Sequence, residues 1–164
     1  MSEFKKLFFI FCAKYLIFFL IGLTGIFVNR LLKEKQKPFL IRMCITLPII
    51  FIIAKISSYF YFDPRPFVVG NFVPLIPHAP DNGFPSDHML LASALAALVL
   101  SENKKVGWYM CAIAMLIGAS RIIVGVHHPA DILGSMVIAG CVTWILYAIL
   151  HLCKKLFPKK LVSS

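Results

Sequence analysis

Long apolar runs separated by short polar islands dominate this chain. The first run covers residues 7–28 and carries one charge, Lys14, before a polar connector at 29–38. A second run, 39–62, has Arg42 near its start, where its long stem can snorkel to the interface, and Lys55 much deeper. Tyr59, Phe60, Tyr61 and Phe62 close that run, as expected at a membrane–water boundary. Residues 63–85 hold Pro64, Pro66, Pro74, Pro77, Pro80 and Pro85 with the turn formers Asp81, Asn82 and Gly83, so no regular helix is expected there. A short third run, 86–100, leads through a tight polar turn at 101–105 into a fourth, 106–124. The fifth starts at Pro129 or Ala130, Pro being suited to a first helical turn, and continues to about residue 152, before Lys154, Lys155, Lys159 and Lys160. With spans of roughly 20 residues each, the pattern predicts an all-α, polytopic membrane protein with about five transmembrane helices. It forms a single domain over residues 1–164 and shows no internal repeat.

Composition agrees: 60% of the 164 residues are hydrophobic, against about 45–50% for soluble domains. The net charge of +10 falls in clusters between apolar runs and builds no basic face, so it reads as a topology signal and nucleic acid is not an expected partner. The first run lacks a small-residue cleavage site and is expected to remain as a span. Cys12, Cys44, Cys111, Cys141 and Cys153 show no C-x-x-C pairing and read as small apolar residues. Five spans put the 29–38 connector, the 101–105 turn and the C-terminal tail on one side, with Arg30, Lys33, Lys35, Lys37, Lys104, Lys105, Lys154, Lys155, Lys159 and Lys160. The other side has only Lys5, Lys6, Arg65 and Arg121, so the positive-inside rule makes the first side cytoplasmic.

Three polar islands then share the outer face: Asp63-Pro64-Arg65-Pro66, Phe84-Pro85-Ser86-Asp87-His88, and residues 120–131, reading Ser-Arg-Ile-Ile-Val-Gly-Val-His-His-Pro-Ala-Asp. Charged and titratable groups between apolar runs are expensive, which makes these islands the candidate site. Arg65 and Arg121 offer planar forks suited to phosphate, and Ser86 opens a helix whose free N–H groups favour an anion. Two imidazoles, His88 and His127, permit a nucleophile and a proton donor. Asp131 follows His127 by four residues, close enough to hold its tautomer. Blander readings stand beside these. Ser86 caps a helix, Lys55 snorkels or pairs with Asp63, Arg65 anchors in headgroups, Asp87 and Asp131 complement helix dipoles, and His78 and His128 serve the loop or interface.

The motifs resemble those of the type 2 phosphatidic acid phosphatase superfamily. S-R-x5-H-x3-D is met by Ser120, Arg121, His127 and Asp131. P-S-G-H appears as Pro85, Ser86, Asp87 and His88. K-x6-R-P is met at Arg65 and Pro66 only, Ser58 standing in the lysine position with Lys55 one turn earlier. The resemblance covers about residues 45–150 and implies a phosphatase core bundle. It makes His127 the nucleophile of a phosphohistidine intermediate, Asp131 its orienting partner and His88 the general acid. Arg65, Ser86, Ser120 and Arg121, with Lys55, would bind the phosphoryl group, and Asp87 is a candidate accessory residue. P-S-D-H, with P-R-P-F before it, is similar to the bacitracin-resistance type of undecaprenyl-diphosphate phosphatase. That type implies a polyprenyl diphosphate substrate and a multi-pass protein of the bacterial cytoplasmic membrane with its site facing outward. The double-His, double-Arg cluster, with no acidic constellation for Mg2+, predicts chemistry without a cofactor or metal. Two other readings remain open: the same site acting on phosphatidic acid, phosphatidylglycerol phosphate or a shorter prenyl diphosphate, and a non-enzymatic protein binding a transition metal through His78, His88, His127, His128 and Asp131. Oligomeric state is not legible.

Overall fold

The computed structural model describes residues 1–156, apart from the side chain of Lys154. Six helices run in order: α1 (Glu3–Arg30), α2 (Lys33–Phe60), α3 (Pro66–Val69), α4 (Asp87–Leu100), α5 (Lys104–Ile123) and α6 (Pro129–Leu156). Lys159 and Lys160, counted above as tail charges, lie outside the described residues. Four helices, α1, α2, α5 and α6, are long and apolar enough to cross a bilayer. The expected third span, α4, is shorter: its 14 residues rise about 21 Å, against a hydrocarbon core of about 30 Å.

The short helix is the centre of the bundle. Eight of the fourteen residues of α4 are buried, among them Ala92, Ala94 and Ala96, whose small side chains let neighbours approach closely, and it packs against α1, α2, α5 and α6. Large apolar residues elsewhere point outward, including Phe18, Ile52, Trp108 and Ile145. That inversion suits lipid, which solvates apolar side chains on the perimeter. Because α4 stops short, the segment between α2 and α4 folds into the space above its first residue.

Three expectations from the sequence need correction. The 29–38 stretch is no extended connector: the chain breaks only at Leu31 and Leu32, and Lys33 already begins α2. Gln36 Nε2 donates to the Leu31 carbonyl at 3.0 Å, satisfying a carbonyl that the end of α1 would leave free, so polarity here marks a solvated helix end and not a loop. The Pro-rich 63–85 segment also holds one helical turn, α3, whose Pro66 sits at the first position, where its missing N–H costs nothing. Arg42, read from sequence as able to snorkel to the interface, pairs with Glu102 of the α4–α5 turn and lies over the rings of Phe39 and Tyr147. This pair joins the start of α2 to the α4–α5 turn at the end of the bundle opposite the polar islands.

Candidate active site

A helix ending builds the centre of the site. Helix α5 ends at Ile123 with Val124 as its C-cap, after which Gly125 takes φ +83°, a left-handed conformation that costs glycine little. The Gly125 N–H donates to the Ile122 carbonyl at 2.9 Å and the Val126 N–H to the Arg121 carbonyl at 3.2 Å, the paired bonds of a Schellman ending. The reversal brings His127 back over Arg121, leaving Arg121 Nη2 3.3 Å from His127 Nε2. Asp131, fully buried in the first turn of α6, takes the other ring nitrogen: Nδ1 lies 3.1 Å from Asp131 Oδ2. The same oxygen accepts the backbone N–H of His128 at 2.8 Å. With the Nδ1 proton given to the carboxylate, the Nε2 lone pair faces the cavity.

The loop above α4 supplies the second guanidinium. Arg65 Nε donates to Asp81 Oδ1 at 2.6 Å and Nη1 donates to the Val126 carbonyl at 2.9 Å, which aims Nη1 at His127 Nε2, 3.4 Å away. Asn82 ties the loop down. Its Oδ1 accepts the N–H groups of Asp63 and Phe84, while its Nδ2 donates to the Ser58 carbonyl, the Ser58 hydroxyl and the Tyr61 carbonyl. Ile76 packs with Ala13, Val124 and Val126, and the Leu75 N–H donates to the Val124 carbonyl at 3.0 Å. These anchors hold His78 over the site, its Nε2 3.2 Å from Arg121 Nη2.

Arg65, Arg121, His127, His88, Asp87, His78 and Lys55 line one cavity of about 190 Å³. Ser86 has its place at the N-cap of α4 but makes no side-chain cap bond, which corrects the capping expectation. Its carbonyl accepts from the Leu90 N–H and from Ser135 Oγ, while its own buried hydroxyl has no partner among the described residues. An unmet hydroxyl beside the first, free N–H groups of a helix is well suited to an anion. Ser120 is not brought to the cavity: it is fully buried and its hydroxyl donates to the Leu116 carbonyl at 2.7 Å. Lys55 does line the cavity and makes no ion pair with Asp63. His128 turns away, donating Nε2–H to the Pro64 carbonyl at 3.2 Å.

Burial holds His127 below the usual imidazole range; Arg121 and Arg65 push the same way, and the Asp131 hydrogen bond opposes them. Burial likewise lowers His78, helped by the charges of Arg65 and Arg121. Burial first, then the Asp131 charge, raises Asp63. Burial would raise Asp81, but the hydrogen bond and charge of Arg65 outweigh it and the carboxyl falls below its ordinary value. His127 and His78 are therefore held toward their neutral forms beside two fixed cations, an arrangement suited to a phosphoryl dianion. Among the described residues no three His, Cys, Asp or Glu side chains converge as a metal ligand set. The Arg121 guanidinium reaches both the His78 and the His127 ring, whose centres are 6.2 Å apart, and a metal bound there would meet its charge.

Asp81, Asn82 and Ser135 were not picked out as site residues from sequence, and His78 was named only for a loop or interface role or as a metal ligand. Their partners lie between 16 and 49 residues away, apart from the Phe84 N–H that Asn82 Oδ1 accepts and the Asp131 carbonyl that Ser135 Oγ also meets, so no local spacing announces the long-range set. The available signal was a cluster of polar and titratable residues among the prolines of the 77–83 segment.

The sequence pattern of the PAP2 superfamily matches residues 14–155. The chain is 43% identical over 96 residues, 58% of its own length, to an undecaprenyl-diphosphatase BcrC of Bacillus subtilis (strain 168). It is 35% identical over 124 residues, 74% of its length, to a bacitracin transport permease protein BcrC of Bacillus licheniformis. The matched stretches span 50% and 60% of those relatives' own lengths. Among solved structures, the LpxE crystal structure from Aquifex aeolicus superposes with a TM-score of 0.68 at 26% identity, covering 90% of this chain and 88% of that one.

Proposed function

This chain belongs to the PAP2 superfamily, and from that premise we propose that it is a lipid pyrophosphatase, a single membrane-embedded domain converting undecaprenyl diphosphate to undecaprenyl phosphate and inorganic phosphate. The observation that carries the reading is His127 Nε2, with its tautomer held by Asp131 and two guanidiniums within 3.4 Å. The terminal phosphoryl group enters between Arg65 and Arg121, which donate to its oxygens and carry its charge without a metal. Nε2 attacks phosphorus, the bond to the bridging oxygen breaks, and its electron pair leaves with the lipid phosphate, which takes a proton from His88. Water then attacks the phosphohistidine and gives its proton to His88, and the electron pair of the phosphorus–nitrogen bond returns to Nε2. The Asp131 carboxylate stabilises the imidazolium charge of the intermediate.

Relatives named undecaprenyl-diphosphatase and the P-S-D-H and P-R-P-F motifs support the choice of substrate. The likeness to LpxE supports, as a second reading, the same chemistry on another lipid phosphate, because these residues address the phosphoryl group and not the chain behind it. The protein is a multi-pass membrane protein. We place it in the bacterial cytoplasmic membrane with the site outward, since Arg30, Lys33, Lys35, Lys37, Lys104 and Lys105 gather at the end marked by the Arg42–Glu102 pair. The deciding experiment measures phosphate release by the full chain in detergent with chelator present, from undecaprenyl diphosphate and from phosphatidic acid. Release from the diphosphate that persists under chelation and disappears in His127→Ala is expected. Release that stops on chelation, or that survives the substitution, refutes the mechanism.

A further inference from the structure

Lys55 is a cation in the apolar length of α2, where an unpaired charge is costly unless it faces a cavity or an anion. It lines the His127 cavity and has no ion-pair partner among the described residues. Phe51, Ala54, Lys55 and Ser58 recur at i, i+3, i+4 and i+7, and all four line that cavity, so one face of α2 forms its wall. Ser58 is taken up by the Asn82 side chain. Lys55 stands three residues further into the helix, about 4.5 Å along its axis. Arg65 and Arg121 already close on Nε2, where a transferred phosphoryl group must sit. Helix α2 packs on α4 and α6, whereas Arg121 reaches in from α5, and the Asp87–His88 turn of α4 lines the cavity with both. Lys55 thus stands on the α2 wall, three residues deeper than Ser58, whereas the two guanidiniums enter from α5 and from the residue that precedes α3.

We propose that Lys55 binds the second phosphate of a lipid diphosphate, the one that stays on the lipid chain. This rests on reading the site as a lipid-diphosphate phosphatase. As the His127 Nε2–phosphorus bond forms and the phosphorus–bridging oxygen bond breaks, the electron pair passes to the departing lipid monophosphate. The Lys55 ammonium offsets that charge. A lipid monophosphate places an ester oxygen and a hydrocarbon chain at the same level and gives the ammonium little to hold. Lys55 is therefore a specificity residue for diphosphates over monophosphates.

The test compares kcat/KM of the full chain in detergent on farnesyl diphosphate and farnesyl monophosphate, for wild type, Lys55→Met and Lys55→Arg, with His127→Ala as the blank. In Lys55→Met the ratio of diphosphate to monophosphate kcat/KM should fall by about tenfold or more, the effect of one charge-assisted hydrogen bond, and Lys55→Arg should recover most of it. Loss by the same factor on both substrates would assign Lys55 to the transferred phosphoryl group and overturn the proposal. No loss on either would leave it a snorkelling side chain and overturn it as well. A wild-type chain that hydrolyses the monophosphate but not the diphosphate refutes the underlying reading of the site, an outcome distinct from both.

Discussion

Asp131 offers a test that separates charge from geometry. Its Oδ2 receives both the His127 Nδ1–H, at 3.1 Å, and the His128 N–H, at 2.8 Å, while Oδ1 has no donor among the described residues. In Asp131→Asn the amide has two ways to sit. Its NH2 cannot take the shared position, because it would face the His128 N–H donor to donor, so the carbonyl oxygen must occupy it. Both hydrogen bonds survive, and the NH2 takes the place of Oδ1, which has no donor to lose. Only the charge is lost. A charge-assisted bond exceeds a neutral one by about 1–1.5 kcal/mol, and the difference counts mainly as imidazolium charge develops, so kcat should fall roughly tenfold. Asp131→Ala removes both bonds and releases the tautomer, and losses of about 10⁴ accompany the loss of a histidine's orienting carboxylate or of its correct tautomer. Single-turnover phosphate release, which isolates the chemical step, should therefore rank wild type, Asn and Ala with the larger gap between Asn and Ala. An Asn variant as damaged as Ala would refute the single-oxygen geometry, and an Ala variant near wild type would remove Asp131 from the mechanism.

The pH profile follows from His127, which must be unprotonated at Nε2 to attack. Since burial and the two arginines hold it below its ordinary value, the acid limb of kcat/KM should fall below the usual imidazole pKa of about 6.5; a limb centred above that value contradicts the assigned nucleophile. Gly125→Ala should cost about 1–2 kcal/mol from its left-handed backbone, and its Cβ would approach Phe72 to 2.7 Å. Activity should fall more than thermal stability in detergent, because the displaced turn carries His127; equal and slight losses of both would show that the turn tolerates a side chain.

The parts of the fold legible in sequence were those set by length and polarity. Helices α1, α2, α5 and α6 announce themselves because a bilayer demands long apolar runs, whereas α4 is short for a reason no window of sequence contains. Its 14 residues suffice because the 61–86 segment, pinned through Asn82 to Ser58 and Tyr61, fills the level that two more helical turns would have occupied. The missing turns make room for the site.

The same division runs through the site itself. His127 and Asp131 lie four residues apart and the Schellman ending at Gly125 fixes Arg121 six residues before His127, so local geometry carries that half of the chemistry and the sequence displays it. Arg65 belongs to the other half. Its guanidinium is aimed by Asp81, 16 residues away, and by the Val126 carbonyl, 61 residues away, and neither bond leaves a periodicity to read. Ser120 shows the converse: a motif position adjacent to Arg121 has its hydroxyl on the Leu116 carbonyl, turned into its own helix. Neighbouring positions on a helix point about 100° apart, so when Arg121 faces the cavity Ser120 cannot face it squarely. Side-chain direction, fixed by helix phase and distant loop anchors, therefore decides which motif residues meet a phosphoryl group.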